Sequence, residues 1–236
     1  DMVLADDNFA PIVAAIQEGR VIYANIRKVI HYLLSCNIGE IVAIFFGIIL
    51  GWGRVLTPIQ ILWVNLVTDG LPALALGVEP LERGVMNERP RDPKEGIFGR
   101  GLGWQIAWQG VLVGVMTLLV YRWDLAMRGD RLRAETVAFM TLSLVQLVHS
   151  FNTRSLRQSL FRIGWLHNRP LVVAVGVSLL LQLMVLTVPF LRPVFDVVPL
   201  SVRDWATVMM AAVTMLGVVE IVKAAVRFLG RSQAGI

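Results

Sequence analysis

The sequence predicts an all-α polytopic membrane protein, with six transmembrane helices preceded by a short strand and helix. Three observations carry that prediction. Hydrophobic residues fill 56% of the 236 positions and charged residues only 17%, with a mean hydropathy of +0.66; a soluble domain carries about a quarter charged residues. Six apolar stretches approach the roughly 20 residues that cross a bilayer, at 29–50, 59–76, 102–121, 134–151, 171–191 and 205–222. The second contains an acid, Asp69, and an ionised carboxylate in hydrocarbon is too costly to stand there without a partner.

The first 28 residues differ from the rest. Met2-Val-Leu-Ala5 followed by Asp6-Asp7-Asn8 reads as a strand running into a helix cap. From Phe9 the apolar residues Ile12, Val13, Ile16, Val21 and Ile22 recur at near-helical spacing. This has the character of the edge of a soluble domain whose helix continues through Arg20 and Lys28 into the first span. Twenty-eight residues build no core of their own, and a chain opening in mid-strand without an initiator Met suggests a piece of something longer. No cleavable signal pattern precedes the first span. The single cysteine, Cys36, lies inside that span, excludes an internal disulfide, and reads as a small packing residue.

The first span holds Ser35-Cys-Asn-Ile-Gly-Glu40, with Asn37 and Glu40 at i and i+3. Residues 51–57 make a tight turn, so spans one and two are antiparallel neighbours. The second span reads Pro58-Ile-Gln-Ile-Leu-Trp-Val-Asn-Leu-Val-Thr-Asp-Gly-Leu-Pro-Ala73. Asn65, Thr68 and Asp69 stand at i, i+3 and i+4, which puts three oxygen-bearing side chains on one helical face. Gly70 and Pro72 are expected to weaken the backbone ladder just beyond Asp69 and free carbonyl oxygens at that depth. With Asn37 and Glu40 at a similar depth, two carboxylates and three neutral oxygen groups approach what a divalent cation requires.

Residues 78–100 form a loop with Pro80, Pro90 and Pro93 among balanced charges. The fourth span carries Gln146, His149 and Asn152 at three-residue spacing on one face. Gln146 reads equally as a ligand or as interhelical hydrogen-bond glue, and His149 reads first as a packed or interfacial histidine. Residues 154–169 hold four arginines and no acid. Trp52, Trp104, Trp123, Trp165 and Trp205 fall near span ends as interface anchors, and Trp63, deeper in its span, reads as packing. With six spans both termini share a side, and 15 of the 22 Lys and Arg residues fall on it against 7 on the other. The positive-inside rule makes that side cytoplasmic. The weak point is the second external loop, with four arginines. The net charge of +5 is accounted for by basic loops beside anionic headgroups, with no nucleic acid as partner. No phosphate-binding loop, His/Cys metal spacing or Ser–His–acid arrangement is present, so no catalytic or cofactor-binding residue is expected in this chain.

The blocks Asp1-Met-Val-Leu-Ala-Asp-Asp-Asn-Phe9, Glu18-Gly-Arg20, Asn37-Ile-Gly-Glu40 and residues 58–73 together resemble the C-terminal part of a P-type cation-transporting ATPase. They are most like the calcium pumps of the sarco/endoplasmic reticulum type and their bacterial relatives. The resemblance covers the whole chain. It implies that residues 1–28 end the phosphorylation domain and begin a stalk helix, that 29–76 form the helix pair carrying the cation site, and that 77–236 form a C-terminal four-helix region. The six spans would be the last six of ten.

The resemblance also implies roles. Asn65 and Asp69 match cation ligands of the family's sixth helix, Asp69 being shared between two calcium sites. Thr68, Asn37 and Glu40 match further ligands of the first of those sites. The two-calcium pumps complete that site with a glutamate in the eighth helix; the matching residue here is Gln146. That departure is compatible with one ion or two per cycle, and with calcium or manganese. The phosphorylated Asp of the Asp-Lys-Thr-Gly-Thr motif and the actuator and nucleotide domains are not in this sequence, so ATP and Mg2+ would be bound elsewhere in the parent protein. The implied function is export of Ca2+ from the cytoplasm across a bacterial plasma membrane, by alternating access through an aspartyl-phosphate. Other readings stay open: an ATP-independent cation transporter or channel module, a pump for Mn2+ or monovalent cations, or a membrane scaffold that retains the acids.

Overall fold

The computed structural model describes residues 10–81, 86, 96–155 and 158–233, with side chains described to residue 228. The strand expected within residues 1–9 lies outside the described residues. Six helices are long and apolar enough to cross a membrane, and every regular element among the described residues is helical.

Helix α1 runs unbroken over Ala10–Ile49, 40 residues or about 60 Å at about 1.5 Å per residue. That is roughly twice the hydrocarbon thickness. The helix expected to run from Phe9 through Arg20 and Lys28 into the first span is thus one continuous rod from Ala10 onward. The second span is composite. It begins as α2 (Pro58–Trp63), passes through a π-helical turn over Val64–Asp69 and ends as α3 (Gly70–Gly77). Thr57 starts α2 with a reciprocal capping box to Gln60, and Pro58 occupies the first turn, where its missing N–H costs nothing.

Helix α4 (Leu102–Arg128) continues seven residues past the expected end at 121. Gly129, at φ +70°, closes it, and Asp130 caps α5 (Arg131–Asn152) by accepting from the Arg133 N–H. The expected arginine-rich loop thus shrinks to a two-residue turn. Three of its four arginines face buried acids: Arg128 and Arg133 both pair with Asp204, and Arg131 pairs with Glu135 at 3.0 Å, while Arg122 lies over the Trp52 ring. Arg54, from the neighbouring turn, also reaches Glu135, at 3.2 Å.

Helix α5 is the central rod, with 94% of its most apolar window buried. The short helix α6 (Leu160–Ile163) leads to α7 (Arg169–Thr187). The fifth span was expected to reach 191. It stops at Thr187 because Pro189 pushes Val188 into an extended conformation (ψ 114°), and residues Leu191–Phe195 form a separate short helix, α8. Helix α9 (Val202–Gln233) is longer than the expected 205–222 at both ends. Its first turn is stabilised by Asp204, whose carboxylate accepts from the backbone N–H and hydroxyl of Ser201. Trp63 packs as expected, donating to Gln182 at 2.8 Å and meeting Phe195 edge-to-face.

The closest helix contact is between α1 and α4. A Cβ placed on Gly114 would lie 2.6 Å from the Gly39 carbonyl and 2.6 Å from Val42, and one on Gly110 would lie 2.8 Å from the Ser35 carbonyl. Gly110 and Gly114 form a Gly-x-x-x-Gly pair, which lets backbones touch where lipid tails supply no hydrophobic drive. This seam holds α4 against the very turns of α1 that carry Asn37 and Glu40. Gly114→Ala is expected to cost about 1–3 kcal/mol through overpacking, seen as a lowered thermal midpoint of the purified protein in detergent. Gly176→Ala, in a helix position with nothing within 4 Å, should leave the midpoint level or raise it by the gain of about 0.5–1 kcal/mol that Ala offers in a helix. Equal midpoints for wild type and Gly114→Ala would contradict the seam.

Candidate cation site

The site is built where α1 passes the irregular turn of the second span. Tyr32, Cys36 and Glu40 stand four residues apart on α1, and all three are buried. A π turn widens the backbone ring and takes its carbonyls out of the regular ladder. In hydrocarbon those oxygens need other donors, and neighbouring helices supply them. The Tyr32 hydroxyl lies 3.2 Å from the Thr68 carbonyl, and Ser178 of α7 donates to the Val67 carbonyl at 2.8 Å.

The irregularity was expected just beyond Asp69, at Gly70 and Pro72. It comes before, at Val64–Asp69. Pro72 has no N–H to offer the Thr68 carbonyl four residues back, the oxygen that the Tyr32 hydroxyl meets. The change of pitch also alters which side chains meet. Asn65, Thr68 and Asp69 do not share one face as regular α spacing predicts. Asn65 is exposed on one side while its amide donates to Glu40 Oε2 at 2.9 Å and to the Ile61 carbonyl at 3.0 Å. Thr68 is buried and its hydroxyl donates to the Val64 carbonyl at 2.9 Å. Asp69 is buried with Oδ1 3.2 Å from the Tyr32 hydroxyl, while Oδ2 has no hydrogen-bond partner.

Glu40 is the meeting point. Its second oxygen accepts from the Gln146 amide of α5 at 3.2 Å, so one carboxylate joins three helical elements. Asn37, one turn earlier on α1, is half-buried. Of the face formed by Gln146, His149 and Asn152, only Gln146 reaches Glu40. His149 instead sits 2.8 Å from the Ser35 hydroxyl and edge-on to His31, with ring centroids 5.8 Å apart. Asn152 accepts on its backbone carbonyl from Lys223 at 2.7 Å.

Sequence reasoning missed Tyr32 and Ser178. The four-residue spacing of Tyr32, Cys36 and Glu40 is the signal that marks Tyr32 as facing the same way as the acid. Nothing in the local sequence of α7 marks Ser178. Among the described residues no group of three or more His, Cys, Asp or Glu side chains lies together. The chemistry on offer is therefore two carboxylates with amide, hydroxyl and backbone oxygens, the donor set of a hard cation and unsuited to a soft one.

Residues 54–225 match the family model described as cation transporting ATPase, C-terminus. The chain is 45% identical over 241 residues to calcium-transporting ATPase 1 of Bacillus cereus, covering 95% of this chain and 27% of that protein. It is 49% identical over 208 residues to a calcium-transporting ATPase of Bacillus subtilis, covering 88% of this chain and 23% of that protein. It is 34% identical over 258 residues to the endoplasmic reticulum calcium ATPase srcA of Aspergillus fumigatus, covering 96% and 27% respectively. The chain spans about a quarter of the length of these relatives. With its six candidate spans and a family match over most of its length, the chain belongs to the cation-transporting ATPases and corresponds to their C-terminal membrane region.

Proposed function

We propose that this chain is the ion-binding membrane part of a P-type pump that exports Ca2+ from the cytoplasm by alternating access. The observation that carries the reading is the pair of buried carboxylates, Glu40 and Asp69, beside the π turn of the second span. Their protein partners are all neutral: Asn65, Gln146 and Tyr32. The names of the relatives support Ca2+ as the ion, and the Bacillus relatives support a bacterial plasma membrane. The charge asymmetry of the loops supports cytoplasmic termini. ATP and Mg2+ belong to the parts of the pump outside this chain. Residues 1–28 serve as the end of the phosphorylation domain and the stalk, 29–76 carry the ion site, and 77–236 buttress it.

In this reading Asn37, Glu40, Asn65, Thr68, Asp69 and Gln146 hold the ion. Glu40 now accepts from two amide NH2 groups. A cation entering between them takes over the carboxylate, and a half-turn of each amide then presents oxygen in place of nitrogen. Thr68 already spends its one proton on the Val64 carbonyl, which leaves its lone pairs for a cation. Tyr32 holds one oxygen of Asp69 and leaves the other available. Flexible oxygen coordination of six to eight ligands suits Ca2+, whereas Mg2+ demands a tight octahedron and keeps its water. The long α1 links the ion ligands to the cytoplasmic side as a lever.

Asp69→Asn in the complete pump is expected to abolish Ca2+-dependent phosphoenzyme formation from ATP; occlusion of Ca2+ at the wild-type level in that variant would remove Asp69 from the site. Comparing Ca2+, Mn2+ and Na+ as activators of the same phosphorylation identifies the ion. Gln146→Glu adds a third carboxylate and is expected to tighten Ca2+ binding or add a bound ion. Unchanged affinity and stoichiometry would make Gln146 an interhelical spacer.

A further inference from the structure

Among the described residues, the ion pair with both side chains most completely buried lies at the other end of α3. The side chains of Glu79, just past α3, and Arg154, two residues past α5, are 2% and 0% exposed. The Arg154 Nε donates to both carboxylate oxygens of Glu79, at 2.9 and 3.2 Å, and its NH1 donates to the Gly164 carbonyl at 2.9 Å. The other terminal nitrogen lies 2.9 Å from Oε1, off the line of a hydrogen bond. Asn168, fully buried as the cap of α7, donates to the same carboxylate and to the Ala75 carbonyl. From the opposite side, Asn25 of α1 donates to the Glu79 carbonyl at 2.8 Å and the Gly77 carbonyl at 3.3 Å.

The last carbonyls of a helix lack partners within it. At the end of α3 those of Ala75, Gly77 and Glu79 are all taken by side chains of α1 and of the α7 cap. This matters because α3 is only eight residues long and is separated from α2 by the π turn. Its height in the bundle is not dictated by a continuous span. Gly77 is eight residues, about 12 Å, from Asp69, and Asn25 is fifteen residues, about 22 Å, from Glu40. A clamp between Asn25 and the end of α3 therefore sets Asp69 at the level of Tyr32, about 10 Å along α1 from Asn25, and Asn65 at the level of Glu40, two turns further on.

We propose that Glu79 and Arg154 are positioning residues of the cation site, locking α3 to α1, α5 and α7 so that Asp69 stays beside Tyr32 and Asn65 beside Glu40. The proposal rests on the pump reading above. Neither residue touches the ion. Their pair holds the carboxylate against Asn168 and the Glu79 backbone against Asn25, and the carboxylates that meet the ion inherit that geometry.

The test uses the complete pump. Arg154→Met should raise the Ca2+ concentration for half-maximal phosphorylation about tenfold or more, the scale for losing a group that orients a metal ligand, with Ca2+ bound per phosphorylation site at saturation unchanged. The double variant Glu79→Leu/Arg154→Met removes the unpaired buried charge and should recover the wild-type thermal midpoint while keeping the raised Ca2+ requirement. Recovery of wild-type Ca2+ dependence in the double variant would make the pair merely structural and overturn the proposal, as would unchanged dependence in Arg154→Met. Should Arg154→Met not fold, Arg154→Lys keeps the charge without the fork; it should shift Ca2+ dependence the same way, and no shift would overturn the proposal. Failure of the pump reading itself is distinct, since the wild type would then form no Ca2+-dependent phosphoenzyme.

Discussion

A break in a membrane helix must be satisfied by other protein groups, because hydrocarbon offers no hydrogen bonds. The π turn at Val64–Asp69 is that break, and much of the bundle is arranged around it. Tyr32 comes from α1 and Ser178 from α7 to meet its carbonyls. Helix α1 approaches closely because glycines at 39, 110 and 114 let α4 press on its far side. Helix α5, nearly enclosed by its neighbours, brings Gln146 to Glu40. The Tyr32 and Ser178 bonds satisfy carbonyls that the irregular turn leaves open.

The distribution of buried charge follows a second rule. Among the described residues, the buried acids at the ends of the bundle have cationic partners: Glu79 has Arg154, Glu135 has Arg131 and Arg54, Asp204 has Arg128 and Arg133, Asp124 has Arg128, and the largely buried Glu220 has Lys223 at 3.5 Å. In the middle Glu40 and Asp69 receive an amide, a second amide and a phenol. A resident arginine or lysine would neutralise those carboxylates permanently and compete with any passing ion. Neutral donors hold them in place and leave their charge uncommitted. The ends are thereby fixed by strong pairs, while the centre keeps interactions that a divalent cation can displace.

Much of the fold was legible in the sequence because length and hydropathy speak directly to the bilayer. The spans lie where apolar runs lie, and their errors have local causes: Pro189 ends α7 early, and Gly129 with Asp130 closes what read as a loop. The acids were legible because carboxylates deep in spans are conspicuous. The π turn was not. It depends on donors from α1 and α7 that no window along 58–73 contains, so regular spacing put Asn65, Thr68 and Asp69 on one face. Glu79 and Arg154 were hidden for a different reason. Each lies in a polar loop where a charge reads as solvated, and only the meeting of three chain segments buries them.

The two helices that supply the site differ in stiffness, and that difference has a consequence for a pump. Helix α1 is a single rod of 40 residues in which displacement at one end is carried to the other. The second span is three short pieces, and its ladder is interrupted at the site. When a rigid helix and a broken one are moved together, deformation gathers at the break, where the fewest regular hydrogen bonds must change. Here the irregular turn ends on Asp69, which meets Tyr32 of the rod, while Asn65 near its start meets Glu40 two turns along. A displacement entering through α1 therefore acts first on the contacts that α1 makes with that turn, Tyr32 to Asp69 and Glu40 to Asn65.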